Sequence, residues 1–98
     1  MYKSIILPLA KEDIREAARW YNKQQEGLDK KFTAEVRERV HFIRQNPKAS
    51  NIRYNSVRTT VLNVFPFMVH YTLDENNKTV IISAVLHTSR DPKLWDAR

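Results

Sequence analysis

The spacing of apolar residues changes character along this chain, and each change marks an element. Tyr2 to Leu7 is a short apolar run and reads as a first strand. Beyond Ala10 the apolar positions Ile14, Ala17, Ala18 and Tyr21 recur at i, i+3, i+4 and i+7, one face of a helix. Glu12, Asp13 and Glu16 fall in its early turns, where the positive end of the helix dipole favours carboxylates. No Ser, Thr, Asp or Asn stands just ahead of Ala10, so the sequence supplies no side-chain cap. Gly27, the only glycine, separates this pattern from a second one and suits a residue with positive φ that stops the first helix. The second stripe is Leu28, Phe32, Val36, Val40 and Ile43. Its outer face pairs Lys31 with Glu35 and Glu35 with Arg39 at i, i+4, which gives weak support. Asn46-Pro47 ends it, because the residue before proline avoids the α region.

Residues 48–56 are polar and read as a loop. After them the period shortens to two. Val57–Val64 forms the next strand. In the following one, Phe67, Val69, Tyr71 and Leu73 alternate with Met68, His70 and Thr72. A polar turn, Asp74 to Lys78, leads to a last strand in which Val80, Ile82, Ala84 and Leu86 alternate with Ile81, Ser83, Val85 and His87. The more apolar sets should meet the helices, and the sets holding His70, Thr72, Ser83 and His87 should form an open face. The expected fold is therefore α+β in one domain spanning residues 1–98. An N-terminal strand and an antiparallel helical hairpin precede a three-stranded antiparallel meander in one curved sheet, and a short C-terminal turn or helix closes the chain. Titratable groups at the rim of such a sheet suit a large anionic or macromolecular partner better than an enclosed pocket does.

Composition narrows this picture. At 98 residues there is room for one modest core and little for a deep cavity. The absence of cysteine excludes disulfides and thiolate metal sites. The three histidines show no His-x-x-x-His or His-Glu-x-x-His spacing, so no metal or other cofactor is expected. The opening Ile5 to Ala10 is too short for a membrane span or a secretion signal, which leaves the cytoplasm as the default and no membrane partner. The net charge is +6, which steers nucleic acid or acidic proteins toward the surface. Residues 1–50 carry 11 cationic against 7 acidic side chains, so much of that charge is dispersed among acids over the helical half.

Several short motifs keep a particular order. Ala10-x-x-Asp13-Ile14 opens the first helix, Trp20-Tyr21 lies near its end, and Gly27-Leu28-x-x-x-Phe32-x-x-x-Val36 opens the second. Ile43-x-x-x-Pro47, Val57-Arg58 and Phe65-Pro66-Phe67-x-Val69-x-Tyr71 follow. The last is Val85-Leu86-His87-x-x-Arg90-Asp91-Pro92-x-x-Trp95. Together these resemble the RelE/ParE superfamily of bacterial type II toxin–antitoxin toxins over nearly the whole length, nearer the ParE side. The resemblance implies a small cytoplasmic toxin of a plasmid-stabilisation module that arrests growth. It also implies silencing by a cognate antitoxin encoded by an adjacent gene, whose acidic amphipathic segment would fill an apolar groove beside the helices. A heterotetramer with that antitoxin is among the assemblies it allows. ParE-like members poison DNA gyrase, whereas RelE-like members cut mRNA on the ribosome. The RelE-like lysines and C-terminal tyrosine are not evident: only Lys78 and Lys93 lie beyond Ser50, and no tyrosine follows Tyr71. A third reading is a fold relative that serves only as a binding module.

Candidate residues follow from chemistry and from this resemblance. His87 can act as acid or base in phosphodiester cleavage, and Arg90 can grip a phosphate, with His70 as a second imidazole on the expected open face. The bland alternative is His87 capping the sheet edge and Arg90 paired with Asp91 or Asp96. Arg53 and Arg58 are candidates for binding phosphate or an acidic antitoxin residue. Trp20, off the main stripe, is a candidate partner-facing anchor. Trp95 is expected against the helical hairpin or in the antitoxin groove, and Tyr71 in the core.

Overall fold

The computed structural model describes residues 1–97, with side chains through Trp95. Among them the order is β1 (Lys3–Ile6), α1 (Pro8–Gln24), α2 (Leu28–Gln45), β2 (Ile52–Tyr54), β3 (Val57–Val61), β4 (Phe67–Asp74), β5 (Thr79–His87) and a 3-10 helix (Pro92–Ala97). The strands form a sheet in the order β1-β5-β4-β3-β2. β1 runs parallel to β5, and the other pairs are antiparallel. The α+β architecture matches the expectation. It gains one strand: Ile52–Tyr54, read as loop, adds to the outer edge of β3.

Local rules explain the helix ends. Pro8 occupies the first turn of α1, where its missing N–H costs nothing, and Leu7 caps only through its backbone. Because α1 starts at Pro8, the acids lie past its first turn and work by other means than the dipole. Glu12 pairs with Arg15 and Arg19 on the surface. Gly27 precedes α2 with φ +93°, and Asn22 Oδ1 accepts its N–H at 3.1 Å.

The apolar stripe of α2, Phe32, Val36, Val40 and Ile43, packs with Ala10 and Ala17 of α1 on Val69, Tyr71, Val80, Ile82 and Val85 of the sheet. Tyr21, Phe32, Phe65 and Phe67 meet at centroid distances from 4.7 to 6.1 Å in tilted and edge-to-face pairs. Burying one such phenylalanine contributes about 1.5–3 kcal/mol relative to leaving it in water. Tyr71 is wholly buried, as expected for a core residue, and its hydroxyl donates to the Pro47 carbonyl at 2.9 Å.

Two carboxylates tie the layers together. β1 covers the outer edge of β5 only as far as Ile82, whose carbonyl accepts the Leu7 N–H. Further along, the Val85 N–H has no strand beside it, and Asp13 of α1 accepts it at 3.0 Å. Glu35 of α2 reaches the loop between β3 and β4. Its two oxygens accept the Val64 N–H at 3.0 and 3.1 Å, and one also accepts the Phe65 N–H at 3.2 Å. Among the described residues no helix is long and apolar enough to cross a membrane.

Candidate functional site at the end of β5

Residues at the C-terminal end of β5 face α1 across a cavity of about 240 Å³ lined by Asp13, Glu16, Ala17, Phe67, His87 and Arg90. His87 is exposed there, with its ring 5.3 Å from that of Phe67. Its Nδ1 accepts the Ser89 backbone N–H at 3.0 Å and lies 2.7 Å from Ser89 Oγ. A neutral ring held in this way carries its proton on Nε2, so Nε2 is the nitrogen presented to a partner. Arg90 is exposed, and its N–H closes the turn onto the His87 carbonyl at 3.0 Å. One guanidinium and one imidazole therefore share the cavity with two carboxylates. A phosphodiester entering it would meet Asp13 and Glu16 as like charges.

His70 is not beside His87. A bulge between His70 and Tyr71 pairs them with Ala84 and Ile82, leaving Ser83 as the extra residue of β5. Ser83 Oγ donates to the His70 carbonyl at 3.3 Å. The extra residue inverts the alternation. Val85 packs in the core with the helices, and His87 shares the cavity with α1, while Ala84 and Leu86 turn to the other face. The expected open face holding both His70 and His87 is corrected accordingly, since the two imidazoles lie on opposite sides of the sheet. His70 is fully buried, its Nδ1 3.0 Å from the Tyr54 hydroxyl and its ring 4.9 Å from the Trp95 indole.

The remaining candidates are dispersed. Trp95 covers Met68, Ala84 and Leu86 on the far face, not the helical hairpin, because the exposed turn after β5 carries the chain to that side. Arg53 lies over the Trp95 ring at 5.5 Å. Arg58 donates through Nη1 to the Ser50 carbonyl at 2.6 Å and so braces the segment entering β2. Trp20 is 57% exposed and meets Tyr21 edge-on at 5.1 Å. Asp91 accepts the Lys93 N–H through Oδ1 at 3.0 Å, and the Asp96 side chain lies outside the described residues. Among the described residues no cluster of His, Cys, Asp and Glu has the makings of a metal site.

A second concavity was not expected residue by residue. It measures about 680 Å³ and runs between β1, α1 and α2, with Ile6, Ile14, Val36 and Val40 among its apolar lining. Arg37, His41 and Arg44 line it too, against Glu38 as the acid. Arg44 also donates from Nε to the Tyr2 carbonyl at 2.8 Å. The signal in the sequence was the run of cations at i, i+4 and i+7 on α2, one step away from the apolar stripe.

This arrangement, a helical hairpin on one side of a mostly antiparallel sheet, is the fold of small toxins from toxin–antitoxin modules. A chain from the chromosomal ParDE system of P. aeruginosa superposes with a TM-score of 0.80 at 19% identity, covering 91% of this chain and 98% of that one. The isolated E. coli RelE toxin gives 0.65 at 13% identity, covering 99% and 95%. A chain of the RelBE2 toxin–antitoxin complex from Mycobacterium tuberculosis gives 0.63 at 14%, covering 88% and 96%. No curated protein sequence matches. The family described as ParE toxin of type II toxin-antitoxin system, parDE, matches residues 5–92, and the chain belongs to that family.

Proposed function

We propose that this ParE-type toxin arrests growth in the cytoplasm by binding a macromolecular target, DNA gyrase, and that a cognate antitoxin encoded beside it keeps it silent. The observation that carries the binding reading is the separation of His70 from His87 by the thickness of the sheet. An acid and a base for 2′-hydroxyl attack need to converge on one phosphate, and these two do not. The target-facing surface is assigned to the end of β5 and the adjoining helix, with His87, Arg90 and exposed Trp20 as contacts. Indole and guanidinium groups are enriched among interface hot spots. The antitoxin is assigned to the groove between β1, α1 and α2. Its apolar lining suits one face of an amphipathic helix, and Arg37, His41 and Arg44 suit acids on the flank of that helix. Acidic contacts are placed there in preference to Arg53 and Arg58, which brace Trp95 and the Ser50 carbonyl.

An mRNA endonuclease built on His87 and Arg90 is the second reading, supported by the cavity they share. Gyrase supercoiling and ribosome-bound mRNA cleavage are measured side by side with purified protein. Inhibition of supercoiling without mRNA cleavage supports the proposal. Cleavage that disappears in a His87→Ala, Arg90→Ala variant overturns it in favour of the nuclease. Failure in both assays, with no growth arrest on expression, reduces the protein to a binding module. In the supportive case, Trp20→Ala weakens inhibition while leaving the melting temperature in place.

A further inference from the structure

Two hydrogen bonds join the end of α2 to the start of β1, and both involve Arg44. Its carbonyl accepts the Tyr2 N–H at 3.0 Å, and its Nε donates to the Tyr2 carbonyl at 2.8 Å. The side chain is half-buried and lines the groove between β1, α1 and α2. Other arginines are held through a terminal nitrogen: Arg15 by Nη1 and Arg19 by Nη2 on Glu12, Arg39 by Nη2 on Asn63, and Arg58 by Nη1 on the Ser50 carbonyl. Arg44 is fixed through Nε instead, and among the described residues no acceptor pairs with its Nη1 or Nη2. The stem is therefore held while the end of the fork, which meets a carboxylate with two parallel N–H bonds, is open. His41 and Arg37, one and two turns earlier on α2, line the same groove but are exposed. Among the described residues no hydrogen bond braces either side chain, and Glu38 makes no ion pair with any of the three.

We propose that Arg44 is the specificity-determining cation of this groove. It receives one carboxylate of the antitoxin helix end-on through Nη1 and Nη2, while Arg37 and His41 supply only general attraction. The proposal rests on the assignment of the groove to the antitoxin. Charge favours an acidic occupant, since two guanidiniums and an imidazole line the groove against a single carboxylate. A long cationic side chain loses rotamer freedom when a partner fixes it. Tyr2 has already imposed that loss on Arg44, so a carboxylate gains more there than at Arg37. The two contacts are also coupled. A carboxylate that fixes the guanidinium favours the bond to Tyr2, and by reciprocity the formed bond favours the carboxylate. A bound acid thus pins the start of β1, an edge strand of four residues.

Synthetic helical peptides serve as probes. Each carries leucines at i, i+4 and i+7 and one glutamate at a successive flanking position, with the glutamine peptide as its control. Titration calorimetry against the toxin is expected to find a position at which glutamate binds about tenfold more tightly than glutamine, as for a two-bond ion pair. In Arg44→Lys that preference should fall to about twofold or less, because an ammonium presents no fork. In Arg37→Lys it should stay within about twofold of the parent's preference. Both variants keep the net charge. The ratio between two peptides does not depend on the fraction of toxin folded, so a variant that is only destabilised keeps the parental ratio. The Tyr2 amide should exchange about tenfold more slowly in the glutamate complex than in the glutamine complex, and an equal rate overturns the coupling to β1. An undiminished preference in Arg44→Lys, or its loss in Arg37→Lys instead, overturns the role given to Arg44 and leaves the groove assignment standing. A parent protein that binds none of the peptides overturns the groove assignment and the role of Arg44 with it.

Discussion

Replacing Asp13 tests the idea that a helix carboxylate finishes the edge of the sheet. Asp13 Oδ2 accepts the part-buried Val85 N–H at 3.0 Å, at a point on β5 that β1 does not reach. Asp13→Ala deprives that amide of its acceptor, and an unsatisfied, partly buried donor costs about 1–3 kcal/mol. Taking about 2 kcal/mol as the centre, and about 4–8 °C per kcal/mol for a domain of this size, the melting temperature should fall by about 8–16 °C. Asp13→Asn keeps an oxygen in place and loses only the charge. A charge-assisted hydrogen bond is roughly twice as strong as a neutral one, so about half of the loss should return. Thermal unfolding followed by circular dichroism gives the global figure, and hydrogen exchange of the Val85 amide gives the local one. The reasoning fails if Asp13→Ala melts within about 2 °C of the parent. It also fails if Asn is as damaging as Ala, since the carboxylate would then matter through something other than acceptance of that N–H.

Gly27→Ala should cost about 1–2 kcal/mol in urea unfolding, because φ is +93°; no atom lies within 4 Å of the added Cβ, so a measured cost is conformational and not a clash. Tyr71→Phe should lose about 1 kcal/mol by removing the hydroxyl that holds the Pro47 carbonyl, and an unchanged midpoint would show that this bond contributes nothing net. Acid should weaken the turn between β4 and β5. Side-chain and backbone hydrogen bonds from Asn77 hold Asp74 below its ordinary 3.8, and the Lys48 ion pair holds Glu75 below its ordinary 4.5. Both groups therefore stabilise the fold above those ordinary values and cease to do so as pH falls through their depressed ones. An Asp74→Asn, Glu75→Gln variant should show a shallower loss of stability between about pH 5 and pH 2 than the parent, and an identical acid limb would contradict this.

The elements that were readable in advance are those in which one period persists. The stripes of α1 and α2 and the alternation of β4 run for several repeats, and the structure packs the side chains they nominate in the core or, for Ile14, Ala18, Tyr21, Leu28, Phe67 and Leu73, half-buried against it. The last strand misled because a single extra residue, Ser83, inverts its alternation, and serine there looks like any polar member of the open set. One inserted residue has no composition to betray it, yet it moves His87 to the helix side. β2 escaped notice because three residues cannot establish a period, and its bulge separates Ile52 from Tyr54. The two carboxylate ties were beyond reach for a different reason. Asp13 and Val85 are 72 residues apart, and Glu35 and Val64 are 29 apart, so helical spacing around either acid says nothing about its acceptor role. Trp95 packs on the face away from the helical hairpin expected for it, because the direction of the turn after β5 is set by exposed residues with no apolar pattern.

The parallel pairing of Lys3 with Thr79 joins the beginning of the chain to its last strand. On the ribosome, the helical hairpin emerges long before the strands that will cover Phe32 and Val36. Contacts this distant in sequence slow the search for the native state. The sheet therefore cannot close around the hairpin until β5 is available, because that strand both pairs with β1 and packs Val80, Ile82 and Val85 against the helices.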